Sequence, residues 1–222
     1  PVGHFSVHKG AMMAGGAFFD IDITGVGAHG ARPESSVDPL LVGVQIASTL
    51  QTIVSRNLRP VDTAVLSVTQ FHAGDAYNVI PQTARLSGTV RAFSNETMTM
   101  IERNMRRVVK GVAESMGASA ELDFRVNFAP LINDLEQAAF AQSVCEELVG
   151  ADKVATNMPL VMASEDFSYM LEQVPGCFVN IGNGDVEGSC EVHNPGYDFN
   201  DAALPLGASF FARVVERKLA PA

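Results

Sequence analysis

Two hydrophobic patterns alternate along residues 17–133. Alternating apolar and polar side chains, or clusters of β-branched residues, are typical of strands. The predicted strands are residues 17–24, 64–71, 83–93 and 120–128. Apolar residues at helical spacing predict two helices, over residues 38–57 and 94–117. The resulting order, β-α-β-β-α-β, predicts an α/β fold with a ferredoxin-like domain over residues 17–133, in which two helices cover one face of an antiparallel sheet.

The sequence also predicts how these two helices begin, end and face the core. Asp38 followed by Pro39 is typical of an N-cap and the first helical position, the second helix is predicted to start near Ser94 and Asn95, and Gly117 is placed to end it. In the first helix, one apolar line consists of Leu40, Val44, Ala47, Leu50 and Val54, and a second line consists of Ile46 and Ile53. Because the apolar residues form two lines, we expect this helix to bury more than one face.

Residues 134–222 do not continue this pattern. The predicted elements are a helix over 134–149, a short helix that follows an acidic cap at 164–166 and ends at Pro175, a strand over 177–181, a loop over 182–200, and a helix over 200–219 with Pro205 in its first turn or at a kink. These elements cannot close a sheet by themselves. The sequence therefore predicts the end of a larger α/β domain, and we expect the chain to be a fragment.

Composition and charge exclude several classes of protein. The chain has 222 residues, of which 47% are hydrophobic, so it can bury a core and is not disordered by composition. Asp and Glu number 25 against 15 Lys and Arg, which argues against a nucleic-acid partner. No apolar run reaches the length of a membrane span. The widely spaced Cys145, Cys177 and Cys190 predict free thiols in a reducing compartment, and hence a cytoplasmic protein.

A few polar residues have surroundings that suit chemistry, but each also has an ordinary structural explanation. His193 lies in a loop, where a lone histidine is usually a surface residue, because a metal site needs three or four ligands. His29 lies in a glycine-flanked turn, and Asn78 lies in a loop between strands. Arg91 lies on the polar face of a strand. There it is either a solvated cation or a residue whose planar guanidinium binds a carboxylate. Spacing alone leaves these alternatives open, as it does for the adjacent acids Glu165 and Asp166.

Six short motifs occur along the chain in a fixed order. They are Gly27-Ala28-His29-Gly30-Ala31-Arg32-Pro33 with Asp38-Pro39, Asn78-Val79-Ile80-Pro81, Gly88-Thr89-Val90-Arg91, Ser164-Glu165-Asp166-Phe167, Ile181-Gly182-Asn183-Gly184, and His193-Asn194-Pro195 with Tyr197-Asp198-Phe199-Asn200-Asp201. In this order they resemble the metallopeptidase family of aminoacylases, hippurate hydrolases and indole-acetyl-amino-acid amidohydrolases. The resemblance runs from Pro1 to the C-terminal helix.

The resemblance implies a two-domain hydrolase that cleaves the amide bond of N-acyl amino acids. In this family a catalytic α/β domain is interrupted by a ferredoxin-like lid, through which two copies form a homodimer. Residues 17–133 match the lid, and residues 1–16 and 134–222 match parts of the catalytic domain. Two divalent metal ions (Zn, Mn, Co or Ni) are expected to activate a water molecule in the complete enzyme, with a Glu as general base. The implied partners are a small-molecule substrate and a second copy, without nucleic acid or membrane.

The resemblance also implies roles for the four candidate residues. His193 matches the last metal-ligating histidine, and His29 matches a lid histidine that stabilises the oxyanion in the partner subunit's site. Asn78 and Arg91 match lid residues that hold the substrate, and Arg91 is expected to bind its carboxylate.

One departure from the family pattern concerns the metal site. The family's other metal ligands and its catalytic Glu precede the position that matches Pro1. We therefore expect this chain to be a C-terminal portion of the hydrolase that is inactive alone and holds no metal tightly. The alternative is a non-catalytic dimerisation or small-ligand-binding protein with a ferredoxin-like fold.

Overall fold

A computed structural model describes residues 1–185 and 189–219. The chain divides into two units. The first unit contains Pro1–Met12, Ile132–Leu160 and the residues from Phe167 onward, and the second unit contains Met13–Leu131 and Val161–Asp166. The sequence pattern does not predict that the segment Val161–Asp166 joins the second unit.

The described residues form both strands and helices. In chain order they are β1 (Phe5–Val7), β2 (Gly10–Met13), β3 (Gly15–Thr24), β4 (Ala28–His29), α1 (Pro39–Thr52), β5 (Ala64–Ala73), β6 (Val79–Ile80), β7 (Thr83–Ala92), α2 (Asn95–Ser115), β8 (Ser119–Phe128), β9 (Leu131–Asn133), α3 (Leu135–Val149), β10 (Val154–Ala155), α4 (Phe167–Leu171), β11 (Val179–Ile181) and α5 (Leu204–Lys218). The predicted α/β class is therefore confirmed. No helix in the described part of the chain is long and apolar enough to cross a membrane.

The second unit is built on one four-stranded antiparallel sheet. Its strand order is β5-β7-β3-β8, with β3 paired to β7 over ten residues. Every second side chain of β3, including Phe19, Ile21 and Ile23, is buried against the two helices, and Leu86 and Val90 of β7 lie in the same core. This order of strands and helices confirms the predicted β-α-β-β-α-β, ferredoxin-like arrangement.

The cap predicted for α1 is confirmed, and α2, which starts where predicted, is capped by Ser94. The Asp38 carboxylate accepts a hydrogen bond from the Leu40 backbone N–H at 2.9 Å, and the Ser94 hydroxyl accepts one from the Thr97 N–H at 3.1 Å. Gly117 has a φ of 77° directly after α2, a conformation that glycine adopts without strain. The termini of both helices are thus fixed by local sequence.

The two apolar lines predicted for α1 are buried to different extents. Leu40 and Val44 are 41% and 48% exposed, whereas the second line, with Ile46 and Ile53, is fully buried. The cause is Gly43, where an added Cβ would lie 2.7 Å from the ring of Phe71 on β5. This close approach turns the Gly43 side of α1 towards the sheet. Leu50 of the first line is also buried, so that line is exposed only at its beginning, at Leu40 and Val44.

The first unit contains a three-stranded sheet with the order β10-β1-β11. Strand β1 is parallel to β10 and antiparallel to β11, and the ring of Phe5 lies 5.7 Å from that of Phe210 on α5. The predicted helix over 134–149 is α3, and the C-terminal helix is α5, which a 3-10 turn at Asp201–Ala203 precedes. The short helix, predicted to follow an acidic cap at 164–166, spans Phe167–Leu171.

No disulfide joins Cys145, Cys177 or Cys190, as predicted. Burial raises the pKa of Cys145 to about 12 and that of Cys177 to about 11. Both thiols therefore stay protonated and unreactive at neutral pH. The cellular compartment stays a prediction.

The face of the second unit's sheet that is opposite the helices carries a charged cluster around Asp20. The Asp20 carboxylate accepts hydrogen bonds from the Ser87 hydroxyl at 2.5 Å and from Arg125 at 2.7 Å, and it forms an ion pair with Arg85 at 3.1 Å. These contacts lower the pKa of Asp20 to about 2, with the Ser87 hydrogen bond as the largest cause. Three strands are therefore joined by one side chain in the middle of the sheet.

We expect Asp20→Asn to reduce the free energy of unfolding at pH 7 by on the order of 1–2 kcal/mol. Because the folded-state pKa of Asp20 is below its ordinary value, its contribution is present above about pH 4 and is lost as the pH falls towards about 2. Chemical denaturation between pH 2 and pH 7 should therefore show a smaller loss of stability on acidification for the variant. Asp22→Asn, which changes a largely exposed carboxylate on the same strand face, is the control and should have little effect.

Candidate functional site

His29 and Asn78 lie next to each other in the second unit. Strand β4 pairs antiparallel with β6, which places His29 opposite Val79. The Gly30 N–H donates a hydrogen bond to the Asn78 backbone oxygen at 2.7 Å. Two residues that the resemblance assigns to one site, but that are distant in the sequence, are thus brought together by a short strand pair.

The glycines around His29 allow this close approach. An added Cβ at Gly30 would lie 3.2 Å from the backbone of Asn78, which is tighter than ordinary contact. The Gln82 side chain accepts a hydrogen bond from the Gly27 N–H at 3.0 Å and donates one to the Gly25 oxygen at 2.5 Å. The side-chain amide of Gln82 therefore fixes the loop before His29 through its hydrogen bonds to Gly25 and Gly27.

The hydrogen bonds of the His29 ring define which nitrogen can donate. The Ala31 backbone N–H donates to His29 Nδ1 at 3.0 Å, so Nδ1 is the acceptor and the neutral ring carries its proton on Nε2. The His29 side chain is exposed. Its Nε2–H is thus available as a hydrogen-bond donor to a ligand.

Arg91 lies on the outer face of the sheet, where β7 passes the beginning of β3. It is opposite Gly16, its guanidinium lies 5.8 Å from the centre of the Phe18 ring, and its Nη1 donates to the Val90 oxygen at 3.2 Å. Within the described residues, no carboxylate lies within salt-bridge distance of Arg91, although Arg85 and Arg125 on the same face both pair with Asp20. Arg91 is thus a half-buried cation whose charge no described side chain balances.

Ser164 lies beside Arg91, and the sequence pattern did not indicate this. Its segment is joined to the sheet region by the Ala14 N–H, which donates to the Val161 oxygen at 3.0 Å. A Cβ added to Gly16 would lie 2.9 Å from the Ser164 hydroxyl and 2.5 Å from Arg91 Nη1. The Ser164 hydroxyl is buried and has no hydrogen-bond partner among residues 1–185 and 189–219. Ser164 is the first residue of one of the six sequence motifs. In that motif the sequence offers the adjacent acids Glu165 and Asp166 as candidates, and not Ser164.

The candidate residues of the second unit lie in two groups at opposite ends of the sheet. Gly16, opposite Arg91, is near the start of β3. His29 belongs to β4, which follows Thr24 at the other end of β3, and Asn78 directly precedes β6, which pairs with β4. Eight residues of extended strand separate Gly16 from Thr24, which corresponds to roughly 27 Å. The structure therefore brings His29 together with Asn78, but it does not bring either residue to Arg91 within one copy.

His193 lies in an exposed loop of the first unit. Its φ of 69° makes it the single non-glycine residue with a positive φ in the described part of the chain. The loop is fixed by Asn194, whose side-chain oxygen accepts the Gly196 N–H at 2.8 Å, and by Asn183, whose side-chain oxygen accepts the Asn200 N–H at 2.9 Å. Such a strained conformation persists only where the surroundings enforce it, and it often accompanies a functional side chain.

The residues present do not provide a complete metal site. Across residues 1–185 and 189–219, no group of three or more His, Cys, Asp or Glu side chains is placed to hold a metal ion. His193 is then an isolated candidate ligand, and one protein ligand does not fit the three or four that a bound divalent metal needs.

Comparisons with known proteins agree with the motif order. The model of peptidase family M20/M25/M40 matches residues 5–217. A hippurate hydrolase from Campylobacter jejuni is 35% identical over 215 residues, which cover 97% of this chain and 55% of that protein. An N-acetylcysteine deacetylase from Bacillus subtilis is 35% identical over 214 residues, which cover 96% of this chain and 55% of that protein.

Solved structures show the same fold. A structure from methicillin resistant Staphylococcus aureus matches 98% of this chain and 56% of its own length, with a TM-score of 0.91 and 28% identity. The YXEP protein of Bacillus subtilis, described as a dinuclear metal binding peptidase from the M20 family, matches 99% of this chain and 54% of its own length, with a TM-score of 0.79 and 30% identity. This chain spans about half the length of the relatives that it matches. With the fold, the motif order and the family model in agreement, the chain belongs to peptidase family M20/M25/M40.

Proposed function

We propose that this chain is the lid and C-terminal part of a metal-dependent hydrolase that cleaves the amide bond of N-acyl amino acids. The observation that carries the proposal is Arg91, a half-buried cation with no carboxylate partner in the described residues. A planar guanidinium of this kind suits the carboxylate that every N-acyl amino acid carries. Family membership supports the reaction class, and the names of the two relatives indicate removal of an acyl group from an amino acid.

The residues of the second unit have distinct tasks in this proposal. Arg91 binds the carboxylate of the substrate, and Asn78 contacts the substrate more weakly. His29 donates a hydrogen bond from Nε2 to the oxyanion that develops as the amide carbonyl is attacked. This task needs a donor rather than a base, which agrees with Nδ1 being occupied by the Ala31 N–H.

The separation of the two groups indicates how they serve one substrate. An N-acyl amino acid is about the length of a dipeptide, roughly 7–10 Å, whereas the two ends of β3 are roughly 27 Å apart. His29 and Arg91 of one copy therefore cannot contact the same small substrate. We propose that each site takes Arg91 from one copy and His29 with Asn78 from the partner subunit of a homodimer.

The proposal assigns the metal chemistry to the complete protein, since the donor set of residues 1–185 and 189–219 does not fit a metal. His193 supplies one ligand to a pair of divalent metal ions (Zn, Mn, Co or Ni), and the other ligands lie outside the 222 residues. The lid is residues 17–133, and residues 1–16 and 134–222 belong to the catalytic domain. A cytoplasmic location belongs to the same proposal.

We expect the purified 222-residue chain to have no amidase activity with any added divalent metal, because it carries one candidate ligand. Hydrolysis of hippurate and of N-acetyl amino acids should be measured with Zn, Mn, Co and Ni in turn. The control is the full-length protein, by which we mean the protein of the relatives' length that contains this chain, and it should turn these substrates over. Turnover by the chain alone above a metal-only blank contradicts the assignment of the ligands. An inactive full-length protein that still binds small ligands supports the non-catalytic alternative.

We expect the chain to be a homodimer that forms through α1 and the free edge of β5. Strand β5 is at one edge of the sheet, and α1 beside it exposes Leu40, Leu41 and Val44. Light scattering at tens of micromolar, about the range in which a standard-size interface assembles, should give twice the chain mass. The double variant Leu41→Glu with Val44→Glu should be monomeric, while Val61→Glu, which changes a more exposed valine outside α1, should stay dimeric. A monomeric wild-type chain counts against the proposed assembly.

In the full-length protein, we expect His29→Ala to lower kcat by roughly 10²–10³, as does the loss of an oxyanion donor, with little change in KM. If His29 acts in the partner's site, a mixture of His29→Ala and His193→Ala proteins should regain activity, since one site of each heterodimer has both an intact metal set and an intact partner histidine. Subunit exchange should be verified independently with two mass-tagged copies. Exchange without recovery of activity rules out a role for His29 in trans.

A further inference from the structure

The outer face of the sheet contains a small site that the assignment of Arg91 alone does not explain. Gly16 lies under two polar groups from different segments, Arg91 Nη1 and the Ser164 hydroxyl, each within 3 Å of the position of a Cβ on Gly16. The missing side chain at Gly16 leaves room for both groups. Two hydrogen-bond donors therefore meet at one place on the sheet.

The Ser164 hydroxyl is the unexplained part of this arrangement. Its oxygen is buried and has no partner among residues 1–185 and 189–219, whereas buried hydroxyls in folded proteins are nearly always hydrogen-bonded. A hydroxyl in this position needs an acceptor. Any acceptor that occupies the space beside it is also next to the uncompensated charge of Arg91, and this favours an anion.

We propose that Ser164 donates a hydrogen bond to the same substrate carboxylate that Arg91 binds, so that the two residues form a two-sided carboxylate site over Gly16 within one copy. The inference rests on the proposed function and extends it, because it adds a substrate-binding residue and identifies Gly16 as the residue that keeps the site open. Arg91 supplies the charge and a planar pair of donors, and Ser164 supplies a donor from another direction. Together they select a planar anion over a neutral amide of the same shape.

The test compares hippurate with its neutral amide, N-benzoylglycinamide, in the full-length protein. Ser164→Ala should raise KM for hippurate roughly 10–100-fold, as expected for a lost hydrogen bond to a charged group. It should leave kcat, and KM for the neutral amide, within about twofold of wild type. Ser164→Thr, which keeps the hydroxyl, should retain most of the preference for hippurate.

Three further variants separate this role from a general structural effect. Ser168→Ala removes the other buried hydroxyl without a described partner, which lies in the first unit at α4, and it should not alter the preference. Gly16→Ala should abolish the preference, because its Cβ would lie 2.5 Å from Arg91 Nη1 and 2.9 Å from the Ser164 hydroxyl and would displace both groups. Adding Ser164→Ala to Arg91→Ala should have less effect than Ser164→Ala alone, since the two residues share one ligand.

The possible outcomes distinguish this inference from the proposed function. An active enzyme whose preference for hippurate is unchanged in Ser164→Ala overturns the inference and leaves the proposed function intact. If the full-length protein hydrolyses no N-acyl amino acid, the proposed function fails. The inference is then tested by NMR titration of hippurate into the 222-residue chain, in which the Arg91 side-chain resonance should shift in the wild type and not in Ser164→Ala. Equal shifts in the two proteins, or no binding, overturn it.

Discussion

The ten-residue antiparallel pairing of β3 with β7 determines where every candidate group of the second unit lies. The register places Gly16 opposite Arg91 at one end of the sheet and Thr24 opposite Thr83 at the other. Asp20, in the middle of β3, is bonded to Ser87 on β7 and to Arg125 on β8, so this register is fixed by charge as well as by backbone hydrogen bonds. A shift by one residue would bury the charged face and expose Phe19 and Ile21. The two ends of the sheet are therefore held at a constant separation.

Glycines provide the second constraint, because both candidate groups depend on close contact that a side chain would prevent. Gly30 lies against the backbone of Asn78, and Gly16 lies beneath Arg91 and Ser164. Neither glycine has a positive φ, so each is required for space and not for an unusual backbone conformation. The same reasoning applies to Gly43, whose contact with Phe71 determines which side of α1 meets the sheet. In this unit, these glycines therefore determine which larger groups lie next to each other.

The sequence predicts the long elements of the second unit, because a run of ten or more residues repeats its pattern often enough to be recognised. It does not predict β1, β4, β6 or β10, which have two or three residues each and form through pairing with distant partners. The apolar spacing of α1 predicts more than one buried face but not which side meets the sheet, because the contact with Phe71 is made by Gly43, which has no side chain. Motif order identified His29, Asn78 and Arg91, but only the strand register shows that they form two groups.

The two groups differ in when they can act, if the proposed function holds. Arg91 and Ser164 belong to one copy and meet over Gly16 whether or not a second copy is present. They interact with the substrate carboxylate, which has the same charge before and during the reaction, so they contribute equally to substrate and transition-state binding. His29 donates to an oxygen that becomes negative only as the amide bond is attacked, and it comes from the partner subunit. Most of the substrate affinity then comes from the single copy, with a weaker contribution from Asn78 of the partner subunit, whereas the rate of the chemical step depends on the dimer.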